Sequence, residues 1–179
     1  MVRGMEKRAQ VLLVKKAKKG DAAAFVQLCE AYQRVLYNSA YKILQNDHEV
    51  SDCLQETELR AWKKVRNLRN EAAFNSWIFR ILVNVAKDML KSREQAVPFE
   101  EGYWGSGVLA GDVREGAGGN NLDEALEGLP EQYKIPLVLH YYAGFKVQEI
   151  AEQLNIPKNT VKTRLARGRL KLKQLLEGE

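Results

Sequence analysis

Cysteine, histidine and proline are scarce in this chain: two, two and four among 179 residues. Cys29 and Cys53 are too few for a disulfide framework or a thiolate metal cluster. They read as small buried side chains suited to a reducing compartment. His48 and His140 stand far apart, without the spacing of a ligand pair, so both read as structural. No metal ion and no cofactor is implied. Long apolar runs are missing too. The N-terminal stretch offers only Val11 to Val14, too short for the apolar centre of a signal peptide. No later run approaches the ~20 residues that span a membrane. The expectation is a soluble protein of the cytoplasm. Nor is there a nucleophile, base and orienting group in pattern, or a phosphate-binding loop, so the chain does not read as an enzyme.

What is present is charge, unevenly placed. Apolar residues make up 45% of the chain, enough for a packed core, and the net charge is +5. Residues 1–93 carry net +8, residues 94–133 net −8, and residues 134–179 net +5. Two basic blocks flanking an acidic middle favour a polyanionic partner such as nucleic acid.

Hydrophobic spacing is helical throughout, with nothing that argues for a sheet or an internal repeat, so the fold class is all-α. Asp21 stands where an N-cap belongs, ahead of a run in which Phe25, Leu28, Tyr32, Leu36, Ile43 and Leu44 recur on one side. Asp47 is placed to cap the next helix, with Val50, Leu54, Ala61 and Val65 on its inner side. A fourth helix is expected from about Phe74 to Ser92. Residues 94–121 lose periodicity and hold seven glycines, which reads as a linker. The expected division is a helical domain over 1–93, an acidic linker over 94–121 and a second helical domain over 122–179.

The second domain carries the clearest motif. A short helix over Lys146 to Leu154 is followed by Asn155, Ile156 and Pro157 as a turn. A longer helix then runs from about Asn159 to Leu176. Proline cannot continue the first helix and suits the start of the second. Val161, Leu165, Gly168, Leu172 and Leu175 keep core spacing, and Ala151 is small where the two helices must meet. Lys158, Asn159, Lys162, Thr163, Arg164, Ala166 and Arg167 fall on or beside the opposite face. Seven basic residues and no acidic one lie between Asn155 and Leu176. This is the pattern of a helix-turn-helix whose second helix enters a major groove. Lys and Arg donate to guanine there, Asn pairs with adenine, and Thr or Ala meets a thymine methyl.

The first block carries a second polar stripe. At 100° per residue, Ser76, Arg80, Asn84, Lys87 and Lys91 fall within about 40° of one another's mean direction. Phe74, Ile78, Ile81, Leu82, Val85 and Met89 fall opposite. A row of three cations, an amide and a hydroxyl suits a phosphate backbone with exposed bases. Trp77 borders it, placed either to stack on an unpaired base or to close the edge of the core. On the preceding helix, Asp52, Gln55 and Glu56 form a surface patch with no partnering nucleophile or metal ligand. It reads as a protein-docking surface.

Taken in order, DHEVSDCLQETELRAWKKV (47–65), FNSWIFRILVNVAKDMLKSR (74–93) and the stretch from Leu129 to Leu176 resemble a bacterial extracytoplasmic-function RNA polymerase sigma factor. The resemblance implies a sigma region two helical bundle over 1–93 and a sigma region four helix-turn-helix over 122–179. The partners it implies are core RNA polymerase, promoter DNA and an anti-sigma factor. Asp52, Gln55 and Glu56 would dock on the polymerase clamp helices. Trp77, Arg80, Asn84, Lys87 and Lys91, with the Asn67 to Ala73 loop, would hold the single-stranded minus-ten element. Lys158 to Arg167 would read the minus-thirty-five duplex. Apolar surface near Leu137 to Tyr142 would meet the polymerase flap. Three positions depart from the family pattern. Glu58 replaces an apolar residue and is expected to be more exposed. Lys146 replaces a capping Ser or Thr, and Asn159 a common glycine. The linker's charge should keep it off DNA and pair it weakly with both basic faces in the free protein. The competing reading is a stand-alone helix-turn-helix regulator with an N-terminal sensor or dimerisation domain. It leaves the Arg80 stripe and the Asp52–Glu56 patch without a use.

Overall fold

The computed structural model describes residues 5–96 and 121–177. Eight α-helices and two single 3-10 turns make up the described residues, with no strand among them. The first group is α1 (Lys7–Lys18), α2 (Ala22–Leu44), α3 (Asp47–Lys64) and α4 (Phe74–Ala96). The second is α5 (Asn121–Glu127), α6 (Glu131–Tyr141), α7 (Val147–Leu154) and α8 (Lys158–Glu177). The acidic linker expected over 94–121 falls mostly outside the described residues, and with it the proposed pairing of its charge with the basic faces.

Local chemistry sets the helix boundaries. The Asp21 carboxylate accepts from the Ala24 amide at 3.0 Å, as its position predicts for an N-cap. The cap of α3 is Asn46 rather than Asp47: the Asn46 side chain accepts from the Glu49 amide at 3.1 Å. Asp47 is instead the first helical residue, where its charge still suits the helix dipole. Gln45 turns the chain between α2 and α3 with φ at 55°. The RNLRNEAA interruption forms two 3-10 turns, Val65–Asn67 and Glu71–Ala73. Their loop is tied down from α1, where Lys18 donates to the Leu68 carbonyl at 2.8 Å and pairs with Glu71 at 2.7 Å.

The first bundle closes around Leu28, Leu36, Ile43, Leu44, Phe74, Ile78 and Leu82, all essentially inaccessible. Cys29 and Cys53 are both buried and unpaired. Burial is the main cause that pushes their thiols up, to about 12 and about 11 respectively. They are therefore inert side chains at neutral pH. Glu58 is half-buried, and that burial raises its carboxyl above the ordinary value.

In the second group α6 tolerates Pro136 in its interior. The chain leaves α6 through Gly144 at φ 76°, and the Phe145 amide bonds back to the Leu139 carbonyl at 2.9 Å. Only a residue without a Cβ takes that turn cheaply. It folds Phe145 back toward α4, where its ring meets Phe79 edge-to-face, 5.1 Å between centroids. Such a pair adds ~0.5–1.5 kcal/mol beyond its buried area. The flap-contact expectation for Leu137 to Tyr142 needs correcting. Leu137, Val138 and Leu139 are core residues, and Tyr141 is the exposed apolar side chain of that stretch.

Candidate nucleic-acid interface

The helix-turn-helix forms as its residues require. Asn155 ends α7 in the left-handed region with φ at 53°, and Pro157 precedes α8. Asparagine tolerates that conformation better than most side chains. Lys146 supplies no side-chain cap, but half of a capping box survives. The Glu149 carboxylate accepts from the Lys146 amide at 2.7 Å. Ile150, Ala151, Val161, Leu165 and Gly168 form the buried contact between α6, α7 and α8. Leu172 is half-buried there, whereas Leu175 is largely exposed and meets Gly128 at the edge.

The outer face of α8 presents Lys158, Asn159, Lys162, Thr163, Ala166 and Arg167 to solvent, with Arg164 at its half-buried border. Asn159, Thr163, Arg164 and Arg167 line an open cleft with Gln132 and Tyr133 of α6. The Thr163 hydroxyl donates to the Asn159 carbonyl at 3.0 Å. Its proton is thereby committed to the backbone, which leaves the methyl and the oxygen's lone pairs for other contacts.

On α4, Arg80, Asn84 and Lys91 are exposed, and Trp77 and Lys87 are half-buried. The predicted stripe is therefore brought together on one side of a single helix. Trp77 lies 5.7 Å from the Phe74 ring, at the edge of the core. Arg80 is not idle: its guanidinium donates to the Glu152 carbonyl of α7 at 2.8 Å. On α3, Asp52 and Gln55 are exposed, and Glu56 pairs with Arg60 at 2.5 Å. Arg60 also reaches Asp88, and the ion pairs hold its guanidinium above its ordinary value. No cluster of His, Cys, Asp and Glu able to hold a metal ion occurs among the described residues. His140 bonds through Nδ1 with the Phe145 carbonyl at 2.9 Å, a structural use. No described helix is long and apolar enough to cross a membrane.

The family description "Sigma-70 region 2" matches residues 28–95, and "Sigma-70, region 4" matches residues 119–172. The ECF RNA polymerase sigma factor SigW of Bacillus subtilis is 31% identical, over 91% of this chain and 94% of its own length. The chain belongs to the ECF RNA polymerase sigma factors. The ECF RNA polymerase sigma-E factor of Haemophilus influenzae is 27% identical over 88% of this chain and 89% of its own. Among solved structures, CnrH in complex with the cytosolic domain of CnrY superposes with a TM-score of 0.71. It covers 96% of this chain and 99% of that one at 22% identity. The sigma factor RpoE from Bartonella quintana, in complex with the anti-sigma factor NepR, gives 0.70 at 23% identity, covering 86% and 96%. These two establish the fold. The protein is an alternative sigma factor that directs transcription initiation. The stand-alone regulator reading is set aside, because region two and region four are both present and in order.

Proposed function

We propose that this sigma factor, docked on core RNA polymerase, reads its promoter with two separate surfaces. Lys158, Asn159, Lys162, Thr163, Arg164, Ala166 and Arg167 take the minus-thirty-five element as duplex. Trp77, Arg80, Asn84, Lys87 and Lys91 hold the minus-ten element as a single strand. Asp52, Gln55 and Glu56 dock on polymerase. The observation that carries this reading is the acid-free, exposed basic face of α8 behind the Asn155–Pro157 turn, paired with a second cationic row on α4. The protein is a non-enzymatic factor of the cytoplasm. An anti-sigma factor is a further partner, a reading supported by the neighbouring RpoE structure, which was solved with one.

Transcription by purified core polymerase from a matched promoter, with and without the protein, tests the whole reading. Initiation that depends on the protein is expected; specific duplex binding without any core-dependent initiation would overturn it. Asn84→Ala should impair melting around the minus-ten element while sparing upstream duplex binding. Arg167→Ala should cost ~1–3 kcal/mol on the matched duplex if Arg167 reads a base. An equal loss on every sequence would make Arg167 a phosphate clamp.

A further inference from the structure

The foot of the α4 row is held from outside α4. Residues 67–73 run straight into Phe74, so a single strand of DNA lying along the row from Lys91 to Trp77 meets this loop next. The loop exposes Asn67, Arg69 and Asn70, whose amides and guanidinium suit the edges of an unstacked base. Its own bonds are local turns. The Asn70 side chain accepts from the Ala72 amide at 3.0 Å, and the Ala73 amide donates to the Asn70 carbonyl at 3.0 Å.

Three carbonyls of the loop are gripped from α1. Gln10 Nε2 donates to the Glu71 carbonyl at 3.1 Å and to the Ala72 carbonyl at 3.3 Å. Lys18, about two turns further along α1, donates to the Leu68 carbonyl at 2.8 Å. Gln10 is itself oriented. Its oxygen accepts from the Tyr32 hydroxyl of α2 at 2.6 Å, and both side chains are buried. Backbone carbonyls only accept, so the amide nitrogen must face them and the oxygen is left for the phenol. Burial raises the Tyr32 phenol above its ordinary value, so it stays a donor. The Tyr32 ring lies 5.7 Å from that of Phe74, and Phe74 lies 5.7 Å from Trp77. Tyr32 thus reaches the loop by its hydroxyl, through Gln10, and Trp77 by its ring, through Phe74.

A core position does not call for this. An apolar side chain would fill the place of Gln10 without needing three polar partners. What glutamine supplies and leucine cannot is a loop of fixed shape. A loop that must be ordered as it takes a base loses binding energy to that ordering. A loop free to adapt also accommodates the wrong base.

We infer that Gln10 and Lys18 of α1 and Tyr32 of α2 are positioning residues of the minus-ten reader, holding residues 67–73 in the shape that accepts the matched base. Gln10 and Tyr32, being buried, act without touching DNA. The inference rests on the two-surface reading above and extends its single-strand surface from α4 back to α1 and α2.

Gln10→Leu tests this without a change of charge. It keeps an unbranched-backbone helix former of similar volume and removes the donor to both carbonyls. The readout is abortive initiation by reconstituted holoenzyme. Templates are a promoter at which the parent initiates and derivatives with one base replaced at a time in either element. The rate on the matched template over that on the derivative is the discrimination at that base. Gln10→Leu should lower the largest minus-ten ratio about five- to tenfold and leave the minus-thirty-five ratios unchanged. Tyr32→Phe keeps the ring against Phe74 and removes only the hydroxyl, so a loss of about two- to threefold is expected. It keeps the test open if the leucine variant does not fold. Val14→Ala, at a buried position of the same helix, is the stability control. It should lower the melting temperature at least as much and keep the minus-ten ratios. The inference fails if Gln10→Leu and Tyr32→Phe keep the parent's minus-ten ratios, or if the upstream ratios fall equally. It fails too if Val14→Ala flattens the minus-ten ratios as much. Initiation by the parent that ignores base changes in the minus-ten element would instead remove the two-surface reading beneath it.

Discussion

The Thr163 hydroxyl donates to the Asn159 carbonyl at 3.0 Å, one helical turn back on the exposed face of α8. That bond commits the hydroxyl proton, so a base contact by Thr163 falls to its methyl or to the oxygen as an acceptor. A methyl discriminates by meeting the C5-methyl of thymine, not by hydrogen bonding. Thr163→Val keeps a methyl in place and Thr163→Ser keeps the hydroxyl. In a binding selection with randomised upstream elements, Val should retain the parent's preference at the contacted position. Ser should lose it, by about 1 kcal/mol or less of discrimination for a single apolar contact. The reverse pattern would show that the hydroxyl reads the base.

Glu58 offers a stability test with a defined pH sign. Burial raises its carboxyl, so the folded state favours the neutral form. Ionisation therefore opposes folding. The penalty is absent below the ordinary carboxylate range and complete once pH exceeds the raised folded-state value. Glu58→Gln should stabilise the protein near pH 7, and the gain should vanish as pH falls toward about 4. The side chain keeps partial contact with water, so the gain should stay below about 1 kcal/mol. Parallel thermal or urea melts at the two pH values measure it. An equal gain at both would show that charge is not the cause.

Gly168 is fixed by close approach. A Cβ there would lie 3.0 Å from Leu137 Cδ1, 3.3 Å from its Cγ and 3.2 Å from Tyr133 Cβ. Leu137 is buried and the Tyr133 Cβ is anchored to its backbone, so neither yields freely. The gain in helix propensity from leaving glycine is ~1 kcal/mol at most. A branched side chain adds overpacking of ~1–3 kcal/mol. Gly168→Val should thus lower the melting temperature and move α8 away from α6. Upstream duplex binding should weaken with it, while binding of single-stranded minus-ten DNA is spared. A variant as stable as the parent would contradict the packing argument.

The elements that periodicity and caps determine were legible in the sequence. The start of α2 at Ala22, the inner face of α4 and the Asn155–Pro157 turn follow from residues a few positions apart. What depends on contact between distant segments was not. Phe79 and Val83 are buried, yet on a helical projection they sit beside the polar stripe, roughly 60–100° from Arg80 and away from the inner face. Nothing in the local pattern explains their burial until Phe145 is folded against Phe79. A second apolar row on α4, spaced 79, 83, 86 and 90, was the available signal for that seam. The apolar run from Leu137 to Tyr142 misled for the same reason. Composition marks it as sticky, but α7, α8 and the first bundle decide which side chains remain exposed. Asp47 lost the cap of α3 to its neighbour Asn46 because both residue types cap well, and one residue of backbone geometry decides between them.

Arg93 closes the far end of α4. Its guanidinium donates to Glu49 through Nε at 2.6 Å, and its second nitrogen reaches the Leu44 carbonyl at 2.9 Å. A single planar group thus joins the end of α2, the first turn of α3 and the last turns of α4. The Leu44 carbonyl is among the terminal acceptors that a helix leaves unpaired, so the contact also completes α2. Lysine carries the same charge but cannot serve both acceptors in this fork geometry. Arg93→Lys should therefore lose much of what Arg93→Ala loses. For a partly exposed pair with an added backbone acceptor, the alanine loss should be ~1–2 kcal/mol. High salt weakens the carboxylate contact more than the one to the carbonyl. The difference between parent and alanine variant should shrink at 1 M salt without reaching zero. Urea titrations of the three proteins at low and high salt provide the measurement. Full rescue by lysine would show that charge alone matters at this joint.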